Sequence, residues 1–367
     1  TSPGGTVFNG WSAFDVVADA TRLGLTASPW RVATNANSAF HLCDSYPRQL
    51  VVPAQFDDGR VTKLAAIHVG GRLPVAVWRS VSTRAVLLQC APLLSSSAQS
   101  ADESALAEVA RLVGGNDAMP LSVIDCRTRK AADSSSGAYR KANYAYLSLP
   151  DVHTLRESKH RLRRLLLARA KANAAAKPDV SASKLADTGW LQAVQQTLAA
   201  AERVVAAITA GGSVMLLCAT GRDHSTVVSA LAQLQLDPYY RTQQGFACLV
   251  EKEWVHFGHR FVARQGHGRL EDSDCAPFFL LFADCVWQLA SQHPCSFEFN
   301  EQFLVDLVDE SYAGRTGTFL ANSLQQRMML DLPARTQSFW SIAMALRTRY
   351  HNTHYVPVPR AIHIKTD

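Results

Sequence analysis

Apolar residues along the chain change their rhythm near its middle. In the first third they come in short runs, Leu50-Val51-Val52 and Pro74-Val75-Ala76-Val77-Trp78, punctuated by Pro53, Gly70, Gly71 and Pro74. Runs of this length between turn-forming residues predict strands. Leu121 to Asp125 predicts another. From Thr188 onward the order becomes a long helix, a break at Gly211-Gly212, a buried apolar run over Ser213–Leu217, and a helix in which Val227, Ala230, Leu231 and Leu234 recur at helical spacing. Strand and helix in that succession predict an α/β fold with a mixed central sheet flanked by helices. Ser95 to Ser104 and Arg129 to Gly137 carry no apolar period and read as surface loops. The chain has no internal repeat.

Composition sharpens this only a little. With 367 residues, 47% of them hydrophobic and 19% charged, the chain can bury a large core. No window approaches about 18 consecutive apolar residues, and Thr1 to Phe8 lacks the basic-then-apolar order of a signal peptide. A chain that neither spans a membrane nor is secreted is the expectation. The eight cysteines form no Cys-x-x-Cys pair, which argues against a zinc ribbon or a disulfide framework and fits reduced cytosolic thiols.

Charge says more by where it lies than by how much there is. Arg156 to Lys177 carries eight Lys or Arg against the single acid Glu157, a net +7 within a chain whose total is +6. Its Ala and Leu content favours helix. A solvated helix face or linker is the plainest reading, contact with an anionic membrane surface the next. Nucleic acid ranks third, because no aromatic residue interleaves with the charges to stack on bases.

The one stretch that suggests chemistry follows the apolar run at 213–217. It reads Cys218-Ala219-Thr220-Gly221-Arg222-Asp223-His224-Ser225 and sits between predicted strand and helix. Backbone N–H groups in such a loop, with the positive end of the following helix, form a concavity suited to a phosphate dianion. A cysteine at its mouth would have its thiolate stabilised by the same field, and thiolate is the nucleophilic form. An ordinary buried cysteine at a strand end explains this segment equally simply.

The wider sequence decides between them. Asn9-Gly10-Trp11, Leu42-Cys43-Asp44-Ser45-Tyr46-Pro47, Val51-Val52-Pro53, Gly71-Arg72-Leu73-Pro74-Val75 and Arg156-Glu157-Ser158 are followed by Leu236-Asp237-Pro238-Tyr239-Tyr240-Arg241-Thr242, Val250-Glu251-Lys252-Glu253-Trp254 and Phe257-Gly258-His259-Arg260-Phe261. Gly266-His267-Gly268, Asp284-Cys285-Val286-Trp287-Gln288, Phe297-Glu298-Phe299-Asn300-Glu301 and Gly317-Thr318-Phe319-Leu320 continue the series. In this order they resemble the landmarks of the myotubularin family of phosphoinositide 3-phosphatases over about residues 9 to 345. The resemblance implies a cysteine-phosphatase-like domain spanning residues 1–367, with the family's PH-GRAM domain and coiled coil not evident. It implies no metal or other cofactor, so His256, His259 and His267 fall on landmarks and are not expected to be ligands.

That family removes the 3-phosphate of phosphatidylinositol 3-phosphate and 3,5-bisphosphate through a phosphocysteine. Carried over, Cys218 stands at the nucleophile, Asp223 at the proposed general acid, and Gly221 at the glycine that lets backbone wrap the phosphate. Ala219, Thr220 and Arg222 replace the loop Ser, Asp and Trp, Leu217 the preceding histidine, and His224 the invariant arginine. A guanidinium grips two equatorial oxygens and is always charged, which imidazole cannot match. An impaired enzyme is the expectation: a pseudophosphatase that binds the head group and serves as adaptor or regulator of an active family partner, cytoplasmic and peripheral on endosomal membranes. The rival is an active 3-phosphatase working with protonated His224. Arg260 and Arg264 match arginines that contact head-group phosphates, and four residues apart on a predicted helix they would share a face; a salt bridge to Glu251 or Glu253 is the structural alternative. Lys141 and Asp151 stand where the family's substrate pocket has asparagines.

Overall fold

The computed structural model describes residues 8–94, 104, 109, 121–128, 130, 142–171, 181–267 and 274–364. Lys141 and, apart from residues 104 and 130, both predicted surface loops lie outside these.

Two sheets form. Strands β1 (Trp30–Ala33) and β2 (Leu50–Pro53) make an antiparallel pair. The central sheet holds β3 (Val75–Arg79), β4 (Val86–Cys90), β5 (Ser122–Asp125), β6 (Asn143–Tyr146) and β7 (Val214–Leu217), in the order β3-β4-β7-β5-β6. β3 runs antiparallel to β4 and the remaining pairs are parallel. The sheet is therefore mixed, and helices flank it as expected. Its middle strands, Val-Leu-Leu-Gln-Cys and Val-Met-Leu-Leu, are buried throughout, as strands covered on both faces must be. Val75–Arg79, Ser122–Asp125 and Leu50–Pro53 are the strands the apolar runs predict.

Helices named here are α1 (Val16–Arg22), α2 (Asp58–Ile67), α3 (Val152–Lys171), α4 (Trp190–Thr209), α5 (His224–Leu236), α6 (Gln243–Val250), α7 (Phe261–Gln265), α8 (Phe278–Gln292) and α9 (Glu301–Ala313). The predicted helix, Gly-Gly break, strand and helix appear as α4, β7 and α5, with Gly211 at φ +92° making the turn. α5 lies between sheet and outer helices, and eleven of its residues are buried. After α6 the chain winds as a π-helix over Glu251–His256, which carries Glu251, Lys252, Glu253 and Trp254 into the core.

Charge that enters this core is hydrogen-bonded. Lys252 reaches Asp19 at 3.0 Å, Arg327 reaches Glu251 at 2.8 Å, and Gln233 donates to Glu253 at 2.7 Å, with Gln89 donating to the same carboxylate. Burial without partners would cost several kcal/mol per ion. β7 lies between β4 and β5, so its last residue, Leu217, is in register with Cys90 on one side and Asp125 on the other. The loop that follows opens at the carboxyl ends of parallel strands, where ligand sites of open α/β sheets fall.

Candidate active site

Residues 218–224 join β7 to α5, and their path is set by one glycine. Gly221 has φ +68°, its N–H donates to the Cys218 carbonyl at 3.2 Å, and a Cβ there would lie 2.8 Å from Arg72 Nε and 3.0 Å from the Cys90 carbonyl oxygen. Glycine alone takes that φ without strain and leaves that space. Arg72 acts as the peg around which the loop is laid. Its guanidinium, wholly buried, donates to the Gly221 carbonyl at 2.7 Å, to the Ser45 carbonyl and hydroxyl at 3.1 and 2.9 Å, and to the Phe257 carbonyl at 3.1 Å, with its plane 4.2 Å from the Tyr46 ring.

Cys218 lies at the base of this turn, 2% exposed, with Sγ 3.1 Å from Ser225 Oγ in the first turn of α5. Ala219 is exposed, and Thr220 donates to Asp223 Oδ2 at 3.3 Å. Asp223 precedes α5 but does not cap it. Its carboxylate is taken by Arg264, whose Nε and Nη2 donate to Oδ1 and Oδ2 at 3.1 and 2.7 Å, while Nη1 donates to the Asp274 carbonyl at 2.8 Å. His259 Nδ1 stands 3.6 Å away. Burial pushes the Asp223 carboxyl up, but the Arg264 guanidinium, aided by His259 and His224, more than reverses this and holds the pKa at about 2. At neutral pH this group is a clamped carboxylate without a proton to give.

His224 opens α5 beside the loop. Its ring meets Phe278 edge-on at 4.8 Å and hydrogen-bonds the Pro150 carbonyl, and among the described residues its buried Nε2 has no partner. Burial lowers its pKa below the ordinary value despite the opposing pull of Asp223, so the ring is neutral at pH 7. Arg222 is hemmed in by positive charge: burial, then Arg72 and Arg260, lower its pKa, and among the described residues its buried Nε has no partner.

The two downstream arginines do not share a helix face. Arg260 precedes the short helix α7 in a non-helical conformation (φ −80°, ψ 72°), is 30% exposed, and lies 3.7 Å from Asp274, whereas Arg264 is buried on Asp223. The acidic partner is thus neither Glu251, which takes Arg327, nor Glu253, which takes Gln89 and Gln233. Asp151 caps α3 by accepting from Thr154 N–H at 2.8 Å. His259 bonds the Arg222 carbonyl at 3.2 Å, and among the described residues no three metal-ligating side chains converge. Arg72, Ser225 and His259 shape the loop from within segments the sequence singles out, but spacing announces no role for any of them.

The loop thus sets a buried cysteine between a strand end and a helix. A family profile for the myotubularin-like phosphatase domain matches residues 3–328. The chain belongs to that family. It is 34% identical over 365 residues to myotubularin of Xenopus tropicalis, an alignment covering 95% of this chain and 59% of that protein. Similarity to the phosphatidylinositol-3,5-bisphosphate 3-phosphatase MTMR2 of Bos taurus is 36% over 355 residues, covering 91% of this chain and 53% of the relative. The Mus musculus MTMR2 protein matches with the same identity and coverage. The chain spans a little over half the length of these curated relatives. In this myotubularin-like domain Cys218, Gly221 and Asp223, the candidates the resemblance implies, lie in one loop.

Proposed function

We propose that this myotubularin-like domain is a phosphoinositide-binding pseudophosphatase, taking phosphatidylinositol 3-phosphate or 3,5-bisphosphate without turning it over and serving as adaptor or regulator of an active family member at endosomal membranes. The observation that carries this reading is the pairing of Asp223 with Arg264. A general acid must hold a proton at working pH, and a carboxyl at about 2 does not. Transition-state charge lacks its guanidinium as well, since His224 is turned onto Pro150 and Phe278. Loss of two charge-assisted hydrogen bonds of about 1.5–3 kcal/mol each corresponds to roughly two to four powers of ten in rate. Head-group binding draws support from the loop's place before a helix N-terminus and from the positive charge gathered at Arg72, Arg222 and Arg260.

A slow enzyme is the second reading, favoured by the Cys218–Ser225 contact at 3.1 Å, which keeps a hydroxyl beside the nucleophile. That reading needs His224 as imidazolium, and burial moves its titration to lower pH. Phosphate release from short-chain phosphatidylinositol 3-phosphate between about pH 5 and 8 separates the two. The expected result is no turnover in the parent, in Cys218→Ser or in His224→Arg, since Asp223 stays paired with Arg264 in all three. Activity that rises toward acid and disappears in Cys218→Ser would establish the slow enzyme instead.

A further inference from the structure

Helix α3 begins at the loop and leaves the body of the domain. The Pro150 carbonyl holds His224 and Asp151 caps the helix, whose twenty residues make a rod about 30 Å long. Its first turns are anchored: Leu155 and Ser158 are buried, and Lys159 donates to Tyr312 Oη at 2.8 Å with its ammonium 4.5 Å from the ring. Leu162 follows on the same face and lines a groove with Leu185, Trp190 and Tyr312. Leu166 continues that stripe, yet every residue from it to Lys171 is exposed, Leu166 by 48% and Leu167 by 44%. Arg163, Arg164, Arg169 and Lys171 fall in the distal half, with Arg161 just before it and no acid between them, and among the described residues none pairs with a carboxylate.

Leucines left in water forgo burial and like charges along one helix repel, and one environment relieves both. We propose that the distal half of α3 docks on anionic bilayers, Leu166 and Leu167 entering the acyl boundary while the cations reach lipid phosphates along their own methylene stems. RNA would satisfy the charges but offers the leucines nothing, and no aromatic residue in Val152–Lys171 could stack on bases. This surface works by bulk charge and is independent of the head-group reading of the loop. Docking it brings the loop at its origin against the same membrane.

Co-sedimentation with vesicles of phosphatidylcholine alone, or mixed with phosphatidylserine and free of phosphoinositide, tests this. Binding is expected only to the mixed vesicles, falling with added salt, about thirtyfold weaker in Arg163→Glu/Arg164→Glu and about tenfold weaker in Leu166→Ser/Leu167→Ser. All four positions are free of core contacts, so melting and binding of soluble inositol 1,3-bisphosphate should match the parent. Equal uptake by both vesicle types, or variants that sediment like the parent, would overturn the proposal. So would tighter binding to double-stranded RNA, or a dimer in the parent that Leu166→Ser/Leu167→Ser abolishes. Vesicle binding without inositol bisphosphate binding would count against the loop reading alone.

Discussion

At position 223 burial favours a neutral carboxyl and the Arg264 guanidinium favours the anion, and the pairing wins. Removing the cation therefore strands a buried charge. Arg264→Ala should cost about 3–5 kcal/mol in urea unfolding, and Asp223→Asn, which strands the buried Arg264 guanidinium instead, a comparable amount. An Arg264→Ala protein as stable as the parent would mean that the ion pair contributes nothing. Cys218, Gly221 and Asp223 were candidates through the resemblance, and the structure brings them into one loop. Arg264's engagement was not legible in the sequence, because its carboxylate lies 41 residues away and spacing along one helix suggested a shared face that the short α7 cannot provide. The same limit hid Arg72, whose partners come from three separate stretches of chain.

Between strand and helix the loop depends on backbone shape more than on side chains. Gly221→Ala adds a Cβ at φ +68° against Arg72 Nε and the Cys90 carbonyl, a strain of about 1–3 kcal/mol before any repacking. We expect this variant to lose inositol 1,3-bisphosphate binding, read by calorimetry, while far-ultraviolet circular dichroism stays that of the parent. Unchanged affinity would show that the turn tolerates the methyl group and that its backbone does not hold the ligand. At this scale β7, α4 and α5 were readable because a Gly-Gly break separates an amphipathic pattern from a continuous apolar run. β6 was not, since its Asn-Tyr-Ala-Tyr is half exposed at the sheet edge. The π-helix escaped as well, because its buried Glu251, Lys252 and Glu253 read as surface charge until their partners from other elements are known.

Over the whole molecule, acid should unfold the domain through histidines buried in neutral form. His68 and His259 are both buried, and desolvation is the largest cause lowering each from 6.5 to about 4. Their contribution is complete above about 6.5 and is lost as pH falls toward 4, because the unfolded chain binds those protons first; each is worth on the order of 3 kcal/mol. Urea midpoints should therefore drop between about pH 7 and 4.5, less steeply in His68→Gln, and a profile flat across that range would contradict it. Arg72 carries a different consequence. It ties Gly221 to Ser45 and Phe257, so the loop cannot take its shape until segments from both ends of the chain have docked. The shelter of Cys218 is then a record of completed folding: six of the eight free thiols are buried, Cys218 among them. A maleimide pulse during refolding would date that closure, Cys218 escaping the reagent only in molecules already fully assembled.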